Sequence, residues 1–233
     1  MTSPLFQYPS AAKVGRVLPK SKIYEHGKPS RAVRDGFVAQ INQIVWQYKL
    51  APETINLSAR PNVPEIEIFS IELKTADISE DVLRCIDKAI PLPIFHILSF
   101  EDRIKTVAAY KRPSDADASR WVVDAYFESP WLPVSGKRAL PLVSLPVALD
   151  MAGLYEQMLR RLMPHPARVG ETLKEHVERV TRLRGKQNEY AKLEARLRQE
   201  KQFNRKVEKN SQLRTLKTEI ESLALESCKR YDD

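Results

Sequence analysis

From Glu65 to Lys74 the chain reads Glu-Ile-Glu-Ile-Phe-Ser-Ile-Glu-Leu-Lys, and Ile86-Asp87-Lys88-Ala89-Ile90-Pro91-Leu92-Pro93-Ile94-Phe95-His96-Ile97-Leu98 follows. The first run alternates branched and aromatic residues, which predicts a strand. Glu67, Phe69, Ile71 and Leu73 fall on one face; Ile66, Ile68, Ser70, Glu72 and Lys74 fall on the other. Both faces are apolar in the middle, so the strand belongs at the centre of a sheet. Ser79, Glu80 and Asp81 then suit the positive end of a helix. Val82, Leu83, Ile86 and Ile90 make its buried stripe, and Pro91 and Pro93 stop it before the next apolar strand.

The flanking segments extend this pattern. Residues 1–29 hold Pro4, Pro9, Pro19 and Pro29 with Gly15 and Gly27, a composition that predicts an extended N-terminal arm. Within it Lys20 and Lys22 stand beside the stackable ring of Tyr24, a pattern suited to phosphates or a partner surface. Ser30 can cap a helix running to about Leu50, with Val33, Phe37, Ile41, Ile44, Val45 and Tyr48 spaced three and four apart. Pro52 ends it. Thr54–Leu57 reads as a short strand. Ile94–Phe100 and Arg103–Lys111 read as a hairpin, Pro113–Ser119 as a polar loop and Trp121–Phe127 as a further strand. Leu140–Leu145 is an expected edge strand. A helix from Val147 to Met163 would bury Leu149, Leu154, Met158, Leu159 and Leu162. The expected fold over residues 30–164 is α+β, a mixed sheet flanked by helices.

Past Pro164 the composition changes, and residues 165–233 read as a helical extension. No proline follows Pro166. Leu173, Val177 and Val180 begin a seam, Leu183, Tyr190 and Leu197 repeat every seven, and Leu213, Leu216, Ile220 and Leu223 resume it. The middle is broken by Glu200, Lys201 and Asn204, with Phe203 and Val207 off phase. Two outcomes fit: one coiled-coil helix about 85 Å long, or a helical hairpin folding back near residues 203–210. Of the formal net charge of +8, most sits here, with 17 Lys and Arg against 12 Asp and Glu from Pro166 onward. That bias permits an acidic partner such as nucleic acid.

The sharpest catalytic candidates are Glu72 and Lys74. A carboxylate and a lysine two apart on a strand hold Mg²⁺ and the attacking water in one large class of nucleases, the PD-(D/E)xK type. Such a site also wants an acid from the preceding strand, and Thr54–Leu57 offers none. Asp87 and Lys88 read as a solvated pair on the helix after that strand, with contact to nucleic acid or a partner as the alternative. Lys111 and Arg112 follow Tyr110 in a basic–aromatic cluster on a strand, and Arg205 and Lys206 head the cations of the tail's second half; both could meet phosphates or a partner. His96, inside an apolar strand, reads as a core residue. The four histidines lack zinc spacing. No Walker loop, Gly-x-Gly-x-x-Gly or Gly-x-Ser-x-Gly elbow occurs, so no nucleotide or other cofactor is expected. Cys85 and Cys228 build no disulfide framework, which with the lack of a signal or spanning segment points to the cytoplasm.

Several pieces in this order resemble the domain-of-unknown-function 4391 family: Leu18-Pro19-Lys20 with Ile23-Tyr24, Ile44–Leu50, Thr54–Leu57, Glu65–Lys74, Ile86–Pro91, Ala109-Tyr110-Lys111 and Trp131, with a tail like Glu200–Glu208. The resemblance implies a bacterial protein encoded beside DNA methyltransferases and superfamily-2 helicases in restriction or phage-defence loci. It supplies no catalytic residues. With the basic bias and helical tail it leads to the expectation of a non-catalytic accessory subunit binding a helicase- or methyltransferase-type partner, and DNA as a further ligand. The tail would oligomerise or clamp that partner. The alternatives are a Mg²⁺-dependent nuclease using Glu72 and Lys74, and a pure coiled-coil assembly scaffold.

Overall fold

A computed structural model describes residues 6–114, 116–117, 120–134 and 141–225. The chain divides into two compact units, Met1–Leu162 and Met163–Asp233. The first contains, in chain order, β1 (Phe6–Gln7), β2 (Lys13–Val17), α1 (Lys20–Gly27), α2 (Arg31–Gln40), β3 (Ile41–Leu50), α3 (Pro52–Ile55), β4 (Ile66–Leu73), α4 (Glu80–Ala89), β5 (Ile94–Phe100), β6 (Arg103–Pro113), β7 (Trp121–Glu128), β8 (Leu132–Pro133), β9 (Val143–Ser144) and α5 (Met151–Arg160). The main sheet runs β2-β3-β4-β5-β6-β7, with β8 added on β6; β1 and β9 pair separately. β4 and β5 are parallel, joined through α4, and every other neighbour pair in the main sheet is antiparallel. The sheet is therefore mixed, and β4 lies inside it as its two apolar faces require.

Two apolar layers cover it. Ile23 of α1, Phe37 of α2 and Val82, Leu83 and Ile86 of α4 share one core with Phe69, Ile71 and Leu73 of β4 and with Ile94 and Leu98 of β5. On the other face Ile68 and Phe95 are register partners, and Phe95 meets Tyr155 of α5 edge-on, with ring centroids 6.1 Å apart. Close approach of α1 and α2 to α4 depends on two glycines. A Cβ on Gly27 would lie 2.9 Å from the Cys85 carbonyl oxygen, and one on Gly36 would lie 2.9 Å from a Val82 methyl.

Four segments differ from expectation, each for a physical reason. Residues 13–27 are not an extended arm: β2 pairs with β3, and Pro19 and Gly27 bound α1, where a fixed φ and a missing side chain are useful rather than disruptive. The helix from Ser30 ends at Gln40, with the Ser30 hydroxyl accepting from Val33 N. Ile41–Leu50 is a strand whose register shifts at Ile41/Gln43 and at Trp46/Tyr48. Such irregularities insert a residue, so apolar side chains three apart, such as Ile41 and Ile44, can both be buried on a strand. From Ile41 to Tyr48 the three-and-four spacing came from these shifts, not from a continuation of the helix that holds Val33 and Phe37. Thr54–Leu57 is no strand: Pro52 opens the single turn of α3, which Asn56 closes at φ 54°. Finally α5 starts at Met151, not Val147, capped by Asp150 accepting from Gly153 N, so Leu149 stands in solvent at 95% exposure instead of being buried. Leu140, the expected start of the edge strand, and Cys228 lie outside the described residues; the strand that forms nearby is β9.

The second unit is a helical hairpin. α6 (Leu173–Gln199) and α7 (Phe203–Ala224) are joined through Glu200–Gln202. Thr172 and Glu175 form a reciprocal capping box at the start of α6. The Lys186 ammonium meets Glu219 at 2.8 Å, and Arg179 donates to the Leu223 carbonyl at 3.1 Å, which sets the helices antiparallel. Val177, Val180, Leu183, Leu213 and Leu216 are buried. No helix among the described residues is long and apolar enough to cross a membrane.

Gly27→Ala should destabilise the fold by about 1–3 kcal/mol, because its new methyl meets the Cys85 backbone carbonyl as well as the Cys85 thiol at under 3 Å. Gly185, in α6 with nothing within 4 Å of an added Cβ, should do the opposite. Gly185→Ala should stabilise by about 0.5–1 kcal/mol. Urea melts of the two variants check both signs.

Candidate functional site

A helix C-terminus leaves carbonyl oxygens without intrahelical donors and carries partial negative charge. Three lysines that the sequence singles out, two as contact residues and Lys74 as a catalytic candidate, satisfy such ends. At the end of α2, Lys20 donates to the carbonyls of Phe37 (3.0 Å) and Ile41 (2.6 Å), and Lys74 donates to that of Val38 (2.8 Å). Burial, with some help from Lys74, pulls Lys20 below the ordinary lysine range. At the end of α4, Lys111 donates to the carbonyls of Asp87 (2.8 Å) and Ile90 (2.6 Å).

Lys111 is 1% exposed and Asp87 equally so, which overturns the reading of Asp87 as a solvated residue. The Asp87 carboxylate receives Lys111 at 3.3 Å, His96 Nε2 at 3.2 Å and the Tyr126 hydroxyl at 2.5 Å. Desolvation pushes the Asp87 carboxyl up, but His96, Lys111 and Tyr126 together hold it below the usual range. Burial pulls Lys111 down and Asp87 opposes it. An ionised Asp87 accepts only, so His96 donates through Nε2, and its buried Nδ1 has no hydrogen-bond partner among the described residues. Burial and the Asp87 charge raise the Tyr126 phenol. Arg84 lies over the Tyr126 ring at 5.4 Å and donates to the Val123 carbonyl. Tyr155 closes the other side, accepting from Lys111 N and donating to Ala109 O at the register shift in β6. The cluster is a buried polar hub.

Sequence reasoning missed His96 and Tyr126 as members of this hub. A signal for Asp87 was present: residues 83, 86, 87 and 90 lie on one helical stripe, so the acid sits among Leu83, Ile86 and Ile90. A second missed group is Glu67, 3% exposed, which accepts from Trp46 Nε1 at 2.5 Å. Burial pushes its carboxyl up to about 7, with Glu65 adding to the rise and the Trp46 bond opposing it. Lys49 holds Glu65 at 2.8 Å.

The Glu72–Lys74 pair does not assemble as expected. Glu72 is exposed, and its cross-sheet register partners are Gln43 and Ser99, neither of them acidic. Lys74 lies past the last residue of β4 and turns to α2. Among the described residues no group of three His, Cys, Asp or Glu could hold a metal ion. Lys22 pairs with Glu25 in solvent, and Tyr24 packs edge-on against Phe37 beneath Arg34. Lys88 is exposed, and Arg112 faces Asp124 at 3.9 Å. A cleft of about 220 Å³ includes Asp77, Glu80, Lys105, Tyr126, Glu128 and Trp131; two of its acids are already engaged, Glu128 by Lys105 and Glu80 by Arg84.

In the hairpin, Glu200 fixes the elbow. Its Oε1 accepts from the backbone N–H groups of Lys201 and Gln202, and its Oε2 receives Lys209 at 2.5 Å. Lys209 first, then the backbone donors, bring this carboxyl down to about 2. Arg205 and Lys206 are exposed just beyond, beside Phe203 at 77% exposure and Val207 at 52%.

Asp87→Ala should destabilise by about 3–5 kcal/mol, since it strands the Lys111 charge in the core. Lys88→Ala, its exposed neighbour, should stay within about 0.5 kcal/mol. Glu67 gives a pH signature. Its folded pKa lies above the ordinary 4.5, so the native state holds a proton that the unfolded chain releases. The stabilisation is full below 4.5 and is lost as pH rises through about 7. Glu67→Gln should flatten that slope in chemical melts on either side of the window, and Trp46 fluorescence should lose its titration there.

A family profile described as Domain of unknown function (DUF4391) matches residues 6–220. No curated protein and no solved structure matches the chain.

Proposed function

The chain belongs to this family of unknown function, and we propose that it is a non-catalytic accessory subunit of a bacterial restriction or anti-phage assembly, docking on a helicase- or methyltransferase-type partner in the cytoplasm. One observation carries the reading: the residues best suited to chemistry are engaged in holding the fold. Lys74, Lys20 and Lys111 cap helix ends. Asp87 and His96 are sealed in the core, and Glu72 has no acid beside it in the sheet. The second unit is a charged helical hairpin with a fixed elbow, which suits binding. The genomic setting implied by the family resemblance supplies the kind of partner. The buried thiol of Cys85 accords with a reducing compartment.

The rival is a Mg²⁺-dependent nuclease built on Glu72 and Lys74. Purified protein incubated with supercoiled plasmid and Mg²⁺ or Mn²⁺ should leave the plasmid intact, and co-expression with its operon neighbours should yield a stable complex. Nicking that disappears in Glu72→Ala would replace this reading with the nuclease.

A further inference from the structure

We propose that the hairpin elbow and the N-terminal half of α7 form a binding surface for single-stranded nucleic acid, with Phe203 as a stacking platform for a base. The proposal rests on the accessory-subunit reading and adds a ligand class and the residues that take it. Three features support it.

The elbow is built rather than loose. Glu200 ties Lys201 N, Gln202 N and the Lys209 ammonium together, so Phe203 is presented from a fixed backbone. A phenyl ring 77% exposed at such a position is preorganised for contact and adds nothing to the hairpin's own core.

The cations of the hairpin are sorted. Arg179, Lys186, Arg198 and Lys209 each meet a glutamate. Lys201, Arg205, Lys206 and Arg214 are exposed and form no ion pair with a described residue. At about 100° per residue, Phe203, Lys206, Asn210 and Arg214 fall in one stripe along α7, and no acid enters that stripe before Glu221, which pairs with Lys217 at 4.0 Å. A ridge of cations beside an exposed ring, without interleaved carboxylates, is complementary to a polyphosphate with accessible bases.

The apolar component is small. Among the described residues of α7, the large exposed apolar side chains are Phe203 and Val207, too little for a helix-in-groove protein contact, which needs a stripe of anchors over several turns. Stacking on one ring, with phosphates on the flanking cations, uses what is there.

Fluorescence anisotropy of a labelled oligothymidylate with the full chain tests this. Binding should weaken with salt at a log–log slope of about −2 to −3, as three or four phosphate contacts on a single strand require. A duplex of the same length should bind more weakly. Phe203→Ala should lower affinity about 5- to 100-fold without changing the slope, and Phe203→Trp should restore it. Lys206→Glu with Arg214→Glu should reduce the slope. All these positions are exposed, so unchanged melting temperatures serve as the folding control. Wild-type affinity in Phe203→Ala, or no salt-sensitive binding at low ionic strength, overturns the proposal. So does a self-associated species in sedimentation that Phe203→Ala disperses while oligonucleotide binding is unchanged; the ring would then meet a second copy. Failure here with partner co-purification intact leaves the accessory-subunit reading standing, whereas loss of co-purification with intact oligonucleotide binding removes that reading alone.

Discussion

The α+β unit is organised around one ammonium group. Lys111 enters the core from β6 and binds the last carbonyls of α4 together with the side chain of Asp87 from that helix. A lone charge at this depth would be prohibitive. It is tolerated because α4 offers both a carboxylate and the negative end of its dipole, and because His96 and Tyr126 satisfy the rest of the carboxylate. The hub therefore links α4, β5, β6 and β7 through a single set of polar contacts. Because charge and hydrogen-bond geometry must both be met, it specifies how the crossover helix seats on the sheet more narrowly than apolar packing does.

The same chemistry recurs at α2, where Lys20 and Lys74 take the terminal carbonyls from two sides. α2 passes directly into β3, so no loop is available to satisfy those groups, and the side chains do so instead. Apolar contacts complete the layer, with Gly27 and Gly36 setting how near the outer helices come to α4. Lysines that look like surface cations in a sequence can thus be internal fasteners. The difference lies in where a neighbouring helix ends, which a linear reading locates poorly.

Legibility in the sequence followed the regularity of each element. β4, α4 and β5 keep clean periods, and prolines flank all of β4, α4, β5, β6 and β7, so their positions could be read directly. β3 could not, because two register shifts changed its period and imitated a helix. Leu149 looked buried because the periodic stripe ran past the point where Asp150 caps the helix. The hub was half visible: Asp87 lies in an apolar stripe, but Tyr126 is 39 residues away and only the folded sheet brings it near. In the tail the break in the seam was legible, while the choice between one helix and two depended on Glu200, whose bonds to its own elbow and to Lys209 have no periodic signature.

The two borders of the sheet share a property. β2 is short, carries Lys13 and Arg16, shifts register against β3 and contains Gly15 at φ 64°. At the opposite border β7 is irregular against β6, and the Arg84 guanidinium occupies the carbonyls of Val123 and Asp124. Neither border offers the flat, continuous row of free amides and carbonyls on which another chain could extend the sheet. The main sheet is therefore a poor template for strand addition, so copies of the protein can be crowded together without that sheet seeding fibres.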